Sequence, residues 1–160
     1  MTAFAGHRQQ AGQAGCLYHS TFALLGDETL LAHVEDTSDA RFAARLAELD
    51  LMAFPFWITP AGQPRTPPDF WATLRARFMG DNTTEQRHAP LLVSVPGSAP
   101  EWLHQVALLL PAHPDEDEVH VSDSNFPEPL SLRWAVFLES DYAQAHRVEM
   151  LGPLDLDAYA

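Results

Sequence analysis

The sequence contains no lysine: its nine basic residues are all arginine, set against 22 acids, for a formal charge of −13. A chain so poor in positive charge cannot assemble the basic stripe that phosphate backbones require, which argues against nucleic acid as a partner. The same sign argues against an anionic membrane surface. Cys16 is the only cysteine, so an intramolecular disulfide and an all-cysteine metal site are ruled out, and nothing demands an oxidising compartment. Long apolar runs are missing too. The opening MTAFAGHRQQAGQAG has no apolar leader core, and no stretch reaches the roughly 18 apolar residues of a membrane span. These absences predict a cytoplasmic protein that needs neither metal nor cofactor.

What is present predicts one folded domain over residues 1–160. The chain is 46% hydrophobic and 19% charged, within the globular range, and at this size a domain buries about 70% of the surface its unfolded chain exposes. Apolar residues at helical spacing begin at Cys16 and run to Leu25, with Gly26 as the helix-ending residue. A second helix is predicted from Ser38 to Asp50, capped by Ser38 or Asp39, with a short helix over Asp27 to Val34 before it. The aromatic, proline-rich text from Met52 to Pro68 predicts an ordered loop. Asp69 to Met79 reads as a third helix ended by Gly80. After His88 the period changes to strands at Leu91 to Val95, Trp102 to Leu110, Glu118 to Ser122 and Arg147 to Leu151, with a short helix around Leu132 to Leu138. The expected class is α+β: helices over about 16–80 packed on a mostly antiparallel sheet over about 90–160.

A lone cysteine is by default a small buried hydrophobe, but three features give Cys16 chemistry. A helix N-terminus offers free N–H groups and partial positive charge, both of which favour thiolate over thiol, and Gly12 and Gly15 allow a tight entry into that helix. Gln10 stands six residues upstream, where a side-chain amide beside the Cys16 backbone N–H would supply the two donors an oxyanion needs; Gln9 and Gln13 compete for that assignment. Finally, a hairpin turning at His113-Pro114 pairs residues whose numbers sum to about 227, so that Val106 faces Val121, Leu108 faces Val119 and His104 faces Asp123. The register that buries aliphatic residues thus puts an imidazole beside a carboxylate, which fixes its tautomer and stabilises the imidazolium. Asn125 is the alternative orienting residue if the register is shifted, and a candidate for substrate contact otherwise.

The order of glutamine, cysteine at a helix start, histidine on a strand and aspartate at the end of the next strand resembles the papain-like cysteine peptidase superfamily. The segments QAGQAGCLYHSTFALLG, HQVALLL and VHVSDSNFPEPLSLRWAVFLES look most like the bacteriocin-processing, double-glycine-leader peptidase group and its relatives. The resemblance implies a papain-like fold and a thiol peptidase or amidase acting on a peptide or amide substrate. It also implies Cys16 as nucleophile, His104 as base, Asp123 as orienting acid and Gln10 as oxyanion residue. Leu17 follows the cysteine where that group usually has glycine or another small residue. The alternatives are an acyltransferase or transglutaminase-like enzyme using the same residues, and a catalytically silent binding module on the same fold.

Other residues carry competing readings. The cluster Phe54, Phe56, Trp57, Phe70 and Trp71 reads first as core, with two other readings: the lining of a substrate cleft, with Trp57 and Trp71 as the binding residues, and an interface patch. His19 is close enough to Cys16 on a helix to interact, but reads as a packing or surface residue. His113, Asp115, Asp117, His120 and Asp123 have metal-ligating side chains without the spacing of any defined site, and a solvated acidic turn explains them.

Overall fold

A computed structural model of the protein describes residues 4–11, 15–34, 38–59, 66–67, 69–81, 87–97 and 103–154. The architecture is α+β, built on a six-stranded antiparallel sheet in the order β1-β6-β2-β3-β4-β5. Its strands are β1 (Leu51–Ile58), β2 (His88–Pro96), β3 (Leu103–Pro111), β4 (Glu118–Ser122), β5 (Leu130–Arg133) and β6 (Arg147–Pro153). The helices are α1 (Cys16–Leu25), α2 (Asp39–Glu48), α3 (Phe70–Asp81) and α4 (Trp134–Glu139), with 3-10 turns at Glu28–His33 and Asp141–Ala143. Among the described residues no helix is long and apolar enough to cross a membrane.

Side chains alternate across a strand, and both faces of the central strands are apolar. Leu91, Val93 and Val95 of β2, Val106, Leu108 and Leu110 of β3, and Val119 and Val121 of β4 pack with Trp71 and Leu74 of α3 and Phe137 of α4. Leu92, on the other face, packs with Tyr18 of α1, Leu30, and Phe42 and Leu46 of α2. Helices therefore cover both faces: α1 and α2 one, α3 and α4 the other.

Four expectations need correction. The segment from Met52 does not form a loop: Leu51–Ile58 is β1, paired with β6. Proline is tolerated there because β1 is an edge strand and its register shifts between Pro55 and Trp57. The sheet thus recruits a strand from within the part expected to be helical. Residues 60–65 and Pro68 of that segment lie outside the described residues, as does Trp102. Helix α3 continues through Gly80 to Asp81. The segment from Leu132 splits, β5 ending at Arg133 and α4 starting at Trp134. Lastly, the β3–β4 register is displaced by two residues: Leu108, not Val106, faces Val121, and Ala107 faces Ser122. The cause is the turn, in which the Glu116 N–H donates to the His113 carbonyl at 3.1 Å, centring the reversal on Pro114-Asp115. An even displacement keeps every side chain on its expected face, so His104 and Asp123 still share one.

Candidate active site

Cys16 is the first residue of α1, and the entry to that helix is set by Gly15, whose φ of 105° and ψ of 0° favour glycine. A Cβ on Gly15 would lie 3.0 Å from the Val34 Cβ and 3.2 Å from His19 Nδ1. The Gly15 carbonyl accepts from both the His19 N–H (2.9 Å) and His19 Nδ1 (2.8 Å). His19 is therefore a buried residue that braces the first turn, in keeping with a packing role. At the other end of α1, Gly26 at φ 72° donates its N–H to the Phe22 carbonyl at 2.7 Å.

The thiol of Cys16 meets β3 where the strand has an unused edge. The β3–β4 ladder runs no further than Ala107–Ser122, and beyond it the Gln105 N–H donates to Cys16 Sγ at 3.4 Å. The preceding residue, His104, shares the cleft with Cys16 and interacts with it closely enough that each shifts the other's protonation. His104 Nε2 donates to Asp123 Oδ1 at 2.7 Å, which leaves Nδ1 as the ring nitrogen for the sulfur. Asp123 follows directly after β4 and is 4% exposed. Its Oδ2 accepts from Tyr142 Oη at 2.7 Å, and its Oδ1 also accepts the Asn125 N–H at 3.0 Å. Asn125 Nδ2 lies 3.3 Å from His104 Nε2, so both candidates for orienting the imidazole contact it, and the carboxylate makes the shorter contact.

These contacts set the protonation of the group. Burial alone would push the Cys16 thiol up, but the His104 hydrogen bond, the Gln105 N–H, the imidazolium charge and the Leu17 N–H outweigh it and hold the thiol below its ordinary 9.0. Burial would likewise depress His104, but its bonds to Asp123 and Cys16 and their charges raise it to about 9. Asp123 is lowered despite burial by His104, the Asn125 N–H and Tyr142. All three directions favour a thiolate–imidazolium pair backed by a carboxylate.

A strap formed by residues 4–11 fastens the turn that carries Asp123. The Gln10 N–H donates to the Ser124 carbonyl at 2.7 Å, and Gln9 Nε2 donates to the Asn125 carbonyl at 3.1 Å. His7 Nδ1 is 2.7 Å from Ser122 Oγ and its Nε2 donates to the Phe126 carbonyl at 2.9 Å. The Gln10 Oε1 accepts from Ser124 Oγ, which fixes the orientation of the amide and hence of its Nε2 donor. Gln9 is committed to the outer side of this turn, and Gln13 lies outside the described residues.

Gln10, Cys16, His104, Asp123 and Asn125 all line one cleft of about 690 Å³, joined by Tyr142. Trp71 and Trp57 do not reach it. Trp71 is 1% exposed, belongs to the core on α3, and spends its Nε1 on the Ala143 carbonyl at 2.7 Å. Trp57 packs against the same core and against Phe70, on the edge strand opposite the β4–β5 end of the sheet. Trp57 lies away from the cleft because β1 joins the sheet at its far edge, and Trp71 because α3 packs it into the core. Tyr142, Ser124 and His7 went unidentified in the sequence. Tyr142 stands in a 3-10 turn without periodicity, and only the tie between the strap and the turn reveals the other two.

Among the described residues no group of three or more His, Cys, Asp or Glu side chains is arranged to hold a metal ion. A second cavity, of about 610 Å³, opens between α1 and the far end of β4, where the His88 and His120 rings lie 4.8 Å apart. No protein-family model matches the chain, and no curated protein is significantly similar to it.

Proposed function

We propose that the chain is a papain-like cysteine hydrolase, a peptidase or amidase, that cleaves an amide through an acyl-enzyme on Cys16. The observation that carries this reading is the convergence of a lowered thiol, a raised imidazole and a buried carboxylate in one cleft. The order of these residues along the chain, with glutamine ahead of the cysteine, supports the papain-like assignment.

In this reading the Cys16 thiolate attacks the carbonyl carbon, and the negative charge moves to the carbonyl oxygen. The Gln10 side-chain amide and the Cys16 backbone N–H stabilise that oxyanion. Collapse breaks the carbon–nitrogen bond, and the leaving amine takes the proton held by His104. A water then enters, gives a proton to His104 and hydrolyses the thioester through a second oxyanion, restoring thiolate and imidazolium. Asp123 holds the imidazole in orientation through both half-reactions, with Tyr142 and the Asn125 N–H keeping the carboxylate ionised and fixed.

The test is acyl-enzyme formation. An activated p-nitrophenyl ester is expected to release a stoichiometric burst of nitrophenol and leave its acyl group on Cys16, seen as added mass on the peptide containing that residue. His104→Ala is expected to abolish the burst. A native chain that gives no burst and no acyl adduct refutes the proposal.

A further inference from the structure

The cleft has a charge pattern that the cleavage reaction does not require. Its wall carries Asp141, the first residue of the 3-10 turn that also presents Tyr142. Asp123 in the same cleft spends its charge on His104, Tyr142 and the Asn125 N–H. Asp141 is exposed and, among the described residues, has neither an ion pair nor a side-chain hydrogen bond. The only basic side chain among the described lining residues is His104, already matched by Asp123 and the Cys16 sulfur. The absence of lysine and the net charge of −13 give the surrounding field the same sign.

A second observation concerns the same cleft. Six large apolar side chains are exposed among the described residues, and two of them, Leu103 at 51% and Phe126 at 44%, line this cleft beside Pro96. Exposed apolar surface gathered in a cleft marks a contact site. Exposed apolar side chains and an unmatched carboxylate in one cleft suit a group that is apolar along its length and positive at its end, as the stems of lysine and arginine lie along apolar surface with the charge held clear.

We infer that the substrate carries an aliphatic cation, an alkylammonium or alkylguanidinium group, whose stem lies on Leu103 and Phe126 and whose charge faces Asp141. The inference rests on the hydrolase reading of Cys16 and makes Asp141 a specificity-determining residue.

The experiment has two arms. In the first, Cys16 is labelled with methanethiosulfonate reagents of matched size, one bearing a trimethylammonium and one a sulfonate, in the native chain and in Asp141→Asn. The native chain is expected to react faster with the cation. The variant is expected to slow the cation and speed the anion by about fivefold each, the effect of one charge about 4 Å away in a water-like dielectric, so that the cation-to-anion rate ratio falls by up to about 25-fold. A ratio unchanged by the variant, or a preference for the anion, overturns the inference. In the second arm, p-nitrophenyl esters of N-acetyl-lysine and N-acetyl-norleucine are compared. Faster acylation by the lysine ester, lost in Asp141→Asn, supports the inference, whereas equal acylation by both overturns it and leaves the hydrolase reading intact. Acylation by neither ester, with the labelling ratio still dependent on Asp141, overturns the hydrolase reading instead.

Discussion

Replacing Asp123 with asparagine tests whether the carboxylate sets the protonation of the pair in front of it. The substitution keeps the shape and removes the charge that His104 Nε2 contacts at 2.7 Å. A hydrogen bond to a charged group is worth about 1.5–3 kcal/mol, and 1.36 kcal/mol corresponds to about one pKa unit. His104, held at about 9 in the native chain, is therefore expected to fall by roughly one to two units. The sign for Cys16 follows. With the imidazolium less populated near neutrality the thiolate loses its partner, so the thiol pKa rises, and alkylation at slightly acid pH slows by about tenfold for each unit it rises. The assay is the rate of iodoacetamide alkylation against pH, with a nitrogen-15 titration of His104 alongside. The native profile is expected to rise at a lower pH than that of an ordinary thiol, and the variant profile to move to higher pH. Superimposable profiles, or an His104 titration unmoved by the substitution, would refute the electrostatic account of the site. Stability follows the same linkage. A group raised from 6.5 to about 9 stabilises the fold fully below its unfolded value and loses that contribution as pH rises through about 9, so the stability gap between native and Asp123→Asn chains is expected to narrow above that pH.

Two more substitutions separate the roles assigned to the neighbouring residues. Gln10→Ala is expected to lower the rate of acyl-enzyme formation by about 100- to 1000-fold with little change in the alkylation profile of Cys16, because in the proposed reaction the amide serves the oxyanion and not the thiolate; equal losses in both assays would contradict this division. Gly15→Ala forces a side chain into a positive-φ position and against Val34, which is expected to cost about 1–3 kcal/mol, read as a fall in Tm of about 2–4 °C for each kcal/mol in a domain of this size.

The parts of the structure that sequence periodicity conveyed are those whose reasons are local. Apolar spacing and Gly26 define α1, Ser38 caps α2 by accepting from the Arg41 N–H, and β4 runs from Glu118 to Ser122 as its β-branched alternation predicts. The approach of His104 to Asp123 survived an error in register because the error was even, and the period of two forgives it. β1 was illegible because Pro55 breaks the local pattern and only the distant partner β6 makes the segment a strand. The exclusion of Trp57 from the cleft depends on that same pairing. Tyr142 was invisible for a related reason: its tie to Asp123 is tertiary, and a 3-10 turn leaves no periodic trace. The strap has one glycine and two adjacent glutamines, and its docking on the turn after β4 comes from contacts more than 110 residues away.

The strap and sheet order have a consequence for synthesis on the ribosome. Cys16 emerges early, yet its donor Gln105 lies 89 residues later, and Asp123, the strap's own docking turn and Tyr142 come later still. The strand that joins β1 to β2 is the last of all, β6. The hydrogen-bonded cluster around Cys16 can therefore close only after the turn that carries Tyr142 has been made. Vectorial synthesis thus keeps the sulfur apart from its partners for more than 80 residues of chain growth.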